Sequence, residues 1–145
     1  MSGRIFVDSN VLVYSRASGE PGKQPRAMDW RAYCWRSRRG CLSFQVLQEY
    51  YVTVTRKLKP GVHPDLARAD VRRLLSWRPL TVDVPTMEKA WRIEDRYGLS
   101  WWDSLVVATA QAGECRYLLT EDLQEGQEFD GLRVVNPFTT APPSL

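Results

Sequence analysis

The chain has 145 residues, 43% hydrophobic and 26% charged, which fits one soluble globular domain long enough to bury a real core. No apolar run approaches the ~20 residues of a membrane span, and the opening MSGRIFVDSN lacks the pattern of a signal peptide, so a cytoplasmic protein is expected. The formal charge of +3 is weakly basic, the three cysteines lack metal-ligand spacing, and the sole histidine, His63, lies in a loop-like KPGVHPD, which argues against a histidine-based triad or zinc site.

RIFVD is a short apolar run ending in an acid and reads as a buried strand. SNVLVYSRASG continues as a short helix or loop. QPRAMDWRAYCWRSRRG reads as a helix with Ala27, Trp30, Cys34 and Ala32 facing inward and Gly40 as its stop. CLSF is a second strand. In QVLQEYYVTVTRKLKPG the segment YYVTVT would suit a strand by propensity. Leu47, Tyr50, Tyr51, Val54 and Leu58 nevertheless recur at helical spacing, and helix is the stronger reading.

HPDLARADVRRLLSWRP repeats the helical pattern with Ala67, Val71, Leu74 and Leu75 on one face. LTVDV is expected as a strand, and Pro85 opens the helix TMEKAWRIEDRYG. Ser100 caps the apolar helix in SWWDSLVVATAQAG, with Asp103 at its third position. CRYLLTED is the next main strand, GLRVVNP a short one after it, and residues 139–145 (TTAPPSL) a frayed tail behind a domain of residues 1–138. Strands alternating with helices indicate an α/β domain with a mostly parallel sheet of about five strands and helices on both faces. The active crevice of such a sheet lies beyond the carboxyl ends of its strands.

Four acids belong on that rim. Asp8 ends the first strand, Asp122 follows YLLT by one residue, Asp103 opens a helix, and Glu49 lies in the first turns of the helix after CLSF. Each also admits a plain reading. Asp8 suits a turn with Ser9 and Asn10, Glu49 an ion pair with an arginine, Asp103 a helix cap, and Asp122 a turn in which Glu121 is an equal rival. Glu88, Glu94 and Asp95 read as a solvated helix face, and Glu125, Glu128 and Asp130 as a polar loop. Asp83, just before Pro85, stays open.

Two carboxylates ~5 Å apart repel by roughly 3 kcal/mol at an effective dielectric near 20. Four together need a cation, and oxygen-only donors suit magnesium, with manganese as a substitute. Such a site activates water for attack at phosphorus, which is phosphodiester hydrolysis.

IFVDSNVLVY, SFQVLQEYYVTVTRKL, LSWWDSLVVATAQAG and YLLTEDLQEGQEFDGLRVVNPF together resemble the PIN domain, and more narrowly the VapC-type toxin ribonucleases of toxin–antitoxin pairs. The resemblance covers nearly the whole chain, with four motifs in the family's order. It places the family's acidic quartet on Asp8, Glu49, Asp103 and Asp122, as catalytic and metal-holding residues, with Ser9, Asn10 and Thr120 in support. It further implies a Rossmann-like three-layer α/β/α sandwich, magnesium-dependent endoribonuclease activity, frequent homodimers, and a VapB-type antitoxin that blocks the acidic groove.

Setting those four aside leaves 13 of the 17 acids against 20 lysines and arginines. Arg36, Arg38 and Arg39, then Arg56, Lys57 and Lys59, and Arg72 with Arg73, are candidate RNA phosphate contacts. Any one of them also suits a solvated helix end. Trp30, Trp91 and Tyr51 are expected in the core, while Trp101 and Trp102 fit either core or groove wall. A dehalogenase-type phosphatase would place an acid where Asn10 stands, and a receiver domain would need paired acids there and a late lysine. A housekeeping nuclease without antitoxin, and a module that binds RNA or antitoxin without cleaving, are the remaining alternatives.

Overall fold

Strand β1 (Arg4–Val7) has Ile5, Phe6 and Val7 all buried in succession, the mark of a strand covered on both faces. The computed structural model describes residues 2–144; Met1 and Leu145, the outer ends of the expected domain and tail, lie outside the described residues. β1 is parallel to β2 (Gly40–Cys41) on one side and to β3 (Cys115–Leu119) on the other. β3 is parallel to β5 (Leu132–Val135), whose far side pairs antiparallel with β4 (Glu128–Phe129). The order is therefore β2-β1-β3-β5-β4, a mostly parallel sheet packed with helices, as expected from the alternating pattern.

The helices follow their sequence signals closely. α1 (Ser9–Tyr14) starts directly after β1, and α2 (Gln24–Ser37) buries Ala27, Trp30, Tyr33 and Cys34. α2 stops at Arg38 in the left-handed conformation, two residues before the expected Gly40. α3 (Phe44–Val52) continues through a π-helical turn, Thr53–Lys57, so period prevails over the strand propensity of YYVTVT. α4 (Pro64–Leu74), α5 (Val84–Tyr97) and α6 (Trp101–Ala112) complete the set.

Two strand expectations change. LTVDV is not a strand: Leu80 makes one parallel bridge to Ser43, and the rest is spent on capping α5. The Asp83 carboxylate accepts the Thr86 N–H at 3.0 Å and its hydroxyl at 2.6 Å, which answers the open question about this acid. The strand missing from that count is β4, in a stretch whose sequence reads as polar loop. Asp130 (φ 49°) and Gly131 (φ 92°) turn the chain between β4 and β5, a conformation glycine adopts freely and aspartate tolerates.

Side-chain placement departs from expectation on three helices. Leu75 and Trp91 are exposed and Tyr51 is half-buried, whereas Ala67 and Leu74 are core as expected. Trp101 stacks on Trp91 with centroids 5.9 Å apart, and Trp102 is exposed, so neither is a central core residue. The tail is tied at its start: the Trp30 indole N–H donates to the Thr140 carbonyl at 2.8 Å, and the Thr140 hydroxyl to Glu125 at 2.7 Å. All three cysteines are free and buried. Among the described residues no helix is long and apolar enough to cross a membrane.

Candidate functional site

The parallel arrangement brings the carboxyl ends of β1 and β3 side by side, with Val7 opposite Leu119. Asp8 follows the first and caps α1, its Oδ1 accepting the Ser9 N–H at 2.8 Å. Thr120 follows the second, is fully buried, and donates its hydroxyl to Asp8 Oδ2 at 2.9 Å. The same hydroxyl oxygen accepts from Asn10 Nδ2 at 3.0 Å and from the Asp122 N–H at 3.1 Å. Asn10 Nδ2 also donates to Asp122 Oδ2 at 3.2 Å. The supporting trio of the DSN and T-x-D motifs thus clamps the first and last acids together.

Glu49 arrives on α3 and is held by the Ser9 hydroxyl at 2.9 Å and by the Gln45 amide, one turn earlier, at 2.9 Å. Asp103 opens α6, its N–H bonded to the Ser100 cap oxygen at 3.1 Å. It is the charge of Asp103 that bears on Asp122, after burial the next cause of that carboxyl's upward shift. For Asp8, burial comes first and the charges of Asp122 and Glu49 add to it. Against the pull of the Ser9 N–H and the Thr120 hydroxyl, they lift its carboxyl to about 7. All four acids therefore share one corner of the molecule and sense one another.

None of the four pairs with a lysine, arginine or histidine within 4 Å among the described residues. Lys23 takes Glu121 instead, at 2.8 Å, so this neighbour of Asp122 carries its own basic partner. An oxygen-only donor set with unbalanced negative charge fits a hard divalent cation. Among the described residues no three of these carboxylates stand close enough together to ligate one ion directly. His63 is remote in role, an exposed cap whose Nδ1 accepts the Asp65 N–H at 3.1 Å.

Thr120→Val tests the clamp. The change keeps the shape and removes the hydroxyl that joins Asp8, Asn10 and Asp122. Any metal-dependent turnover at this corner should fall by about 10- to 100-fold, the range for losing a group that orients ligating carboxylates. Unchanged turnover in this variant would show that the clamp is dispensable.

The basic candidates disperse. Lys57 borders a recess shared with Ser9, Gln48 and Glu49, whereas Arg56 is exposed on the same π turn. Arg38 is the exposed C-cap of α2. Arg39 is turned into the protein, donating to the Gly3 carbonyl at 2.7 Å and to the Tyr33 hydroxyl. Arg36 lies in a cleft with Arg16, Arg31 and Arg73. One buried acid has no place in the sequence reading: Asp70 has no exposed surface on α4 and is bound by Arg16 and Tyr50. Its signal was its position, three residues after Ala67 and four before Leu74 on the apolar stripe.

The sequence matches a family model for the PIN domain over residues 5–126. Among solved structures, a chain of a toxin-antitoxin complex from Klebsiella pneumoniae is similar in fold, with a TM-score of 0.57 and 17% identity over 93% of this chain and 98% of that one. No curated protein matches the sequence.

Proposed function

The chain belongs to the PIN domain family, and from that premise we propose that it is a magnesium-dependent endoribonuclease acting as the toxin of a VapBC-type toxin–antitoxin pair. The observation that carries the proposal is the corner itself. Three carboxylates from separate segments, Glu49, Asp103 and Asp122, gather around a buried, threonine-clamped Asp8, with no basic side chain paired to any of the four. PIN domains are generally nucleases, and the toxin assignment rests on the fold shared with the Klebsiella toxin-antitoxin chain. An antitoxin that offers a cation to these acids, and a homodimer, complete the reading, as does a cytoplasmic setting.

Asp8, Glu49, Asp103 and Asp122 would hold the ion. Bound there, magnesium or manganese supplies charge neutralisation at the scissile phosphate and makes water a competent nucleophile near neutral pH. The protein's part is placement. The Ser9 N–H and Thr120 hydroxyl fix both oxygens of Asp8, and Asn10 holds Asp122 to the same threonine. The cap at Ser100 fixes Asp103 on a helix whose Leu105, Val107 and Ala108 are buried, so its direction is set by packing. Glu49, at the exposed edge, orients water with its carboxylate while Ser9 and Gln45 restrain it.

The experiment is RNA cleavage by the purified protein. Magnesium or manganese should support it, EDTA should abolish it, and added magnesium should raise Tm as ligand binding to the folded state requires. Cleavage that persists undiminished in EDTA overturns the metal assignment. Metal-dependent binding without any cleavage would instead mark a non-cleaving module.

A further inference from the structure

A second charged site lies at the other end of α1. Asp70, with no exposed surface, accepts Arg16 Nε at 2.9 Å and Nη2 at 2.7 Å, together with the Tyr50 hydroxyl. Arg31 Nη2 is 3.4 Å and Arg73 Nη1 3.8 Å from the same carboxylate, and Arg31 also donates to the Ser15 hydroxyl at 3.0 Å. Arg36 lines the same cleft without an acidic partner within 4 Å among the described residues. The cleft is about 330 Å³, and Met28 and Trp35 stand exposed in its wall.

Three guanidinium groups thus share one carboxylate, and a fourth, Arg36, stands beside them without one. A forked Arg16–Asp70 pair satisfies the buried charge by itself, since such a pair roughly breaks even with apolar packing. Arg31 and Arg73 then add mutual repulsion, and Arg36 adds more. The reasoning that asks for a cation among the acids asks here for an anion. An exposed indole beside guanidinium groups suits a nucleotide, with phosphate on the arginines and base on the ring.

The cleft is also close to the carboxylate corner. α1 has six residues, about 9 Å at 1.5 Å per residue, and runs from its Asp8 cap to Ser15 in the cleft. On α3, Glu49 bonds to Ser9 while the next residue, Tyr50, bonds to Asp70.

We propose that the cleft between the end of α1, α2 and α4 is an RNA subsite, where Arg31, Arg36 and Arg73 hold a backbone phosphate and Trp35 stacks a base of the strand being cut. The proposal rests on the ribonuclease reading and extends it. Asp70 acts as a positioning residue that aims Arg16 and Arg31.

The test is binding of a short fluorescein-labelled single-stranded RNA in EDTA, read by anisotropy across a salt series, beside cleavage kinetics in magnesium. Arg36→Ala and Arg73→Ala remove guanidinium groups that make no hydrogen bond to Asp70. Each should reduce the slope of log affinity against log salt by about 0.7. Trp35→Ala should weaken binding about 5- to 150-fold, the range for one base stacked on an aromatic ring. In magnesium, all three should raise KM with kcat kept, because the contact is equal in ground and transition states. Arg36→Lys should restore the salt slope.

Unchanged slope and KM in all three variants, with cleavage intact, overturn the cleft and leave the ribonuclease standing. A wild-type protein that neither binds nor cuts RNA overturns both. Poly-glutamate binding that these variants lose while RNA binding is untouched overturns the RNA assignment in favour of an acidic polypeptide.

Discussion

Asp8→Asn is expected to lower the proposed RNA cleavage by more than about a hundredfold, and in EDTA to melt above the wild type. On the proposed function the loss exceeds the 10- to 100-fold expected for an outer supporting group, because a carboxylate that would meet the ion itself is removed. The stability gain comes from the same chemistry. A buried charge beside Asp122 and Glu49 is unfavourable without a cation, and asparagine keeps the helix cap by accepting the Ser9 N–H. The Thr120 hydroxyl loses its acceptor, because the Nδ2 that replaces Oδ2 is itself a donor, at a cost of about 1 kcal/mol, which the relieved charge outweighs. A net gain of about 1–2 kcal/mol raises Tm by about 3–8 °C in a domain of this size. Adding magnesium should close that gap by stabilising only the wild type. Calorimetry in EDTA and in magnesium, beside cleavage rates, checks both halves; wild-type activity in this variant removes Asp8 from the chemistry.

Asp70→Asn has the opposite profile, a protein crippled in stability first. Removing one partner of a buried ion pair leaves Arg16 and Arg31 uncompensated, which costs about 3–5 kcal/mol. The expected fall in Tm is about 10–20 °C. The contribution depends on pH in a definite sense. Burial pushes the Asp70 carboxyl up, but the Arg16 fork, the Tyr50 hydroxyl and the charge of Arg31 together hold it below the usual aspartate range. A group depressed in the folded state stabilises fully above its unfolded pKa and loses that effect as pH falls through the folded value. The Tm difference between wild type and Asp70→Asn should therefore be flat near neutrality and shrink on the acid side, below the ordinary aspartate value of 3.8. A difference independent of pH down to strong acid would show that the ion pair does not carry it.

Much of the fold could be read locally. Asp8 at the end of an apolar strand, Ser100 three residues before Asp103, and the helical spacing of Leu47, Tyr50 and Val54 are signals written within a few residues. Such patterns depend on periodicity and capping, which are properties of neighbouring residues. LTVDV failed because an apolar alternation competes with a cap, and Asp83 with Pro85 made the cap. The Asp130–Gly131 turn was the readable signal for β4, hidden by the polar residues around it.

The sequence by itself determined the alternating α/β architecture, the four acids and their place at strand ends and helix starts. Only the tertiary structure decided that Thr120 joins Asp8 to Asp122 across the 112 residues separating it from Asp8. It also decided that Lys23 claims Glu121 and that Arg39 turns inward while Arg36 faces a cleft. Asp70 makes the reason plain. Its charge is sustained in the core by Arg16, 54 residues away, and by Tyr50, 20 residues away. Pairings of that kind depend on which surfaces meet when helices pack, and no local period records them.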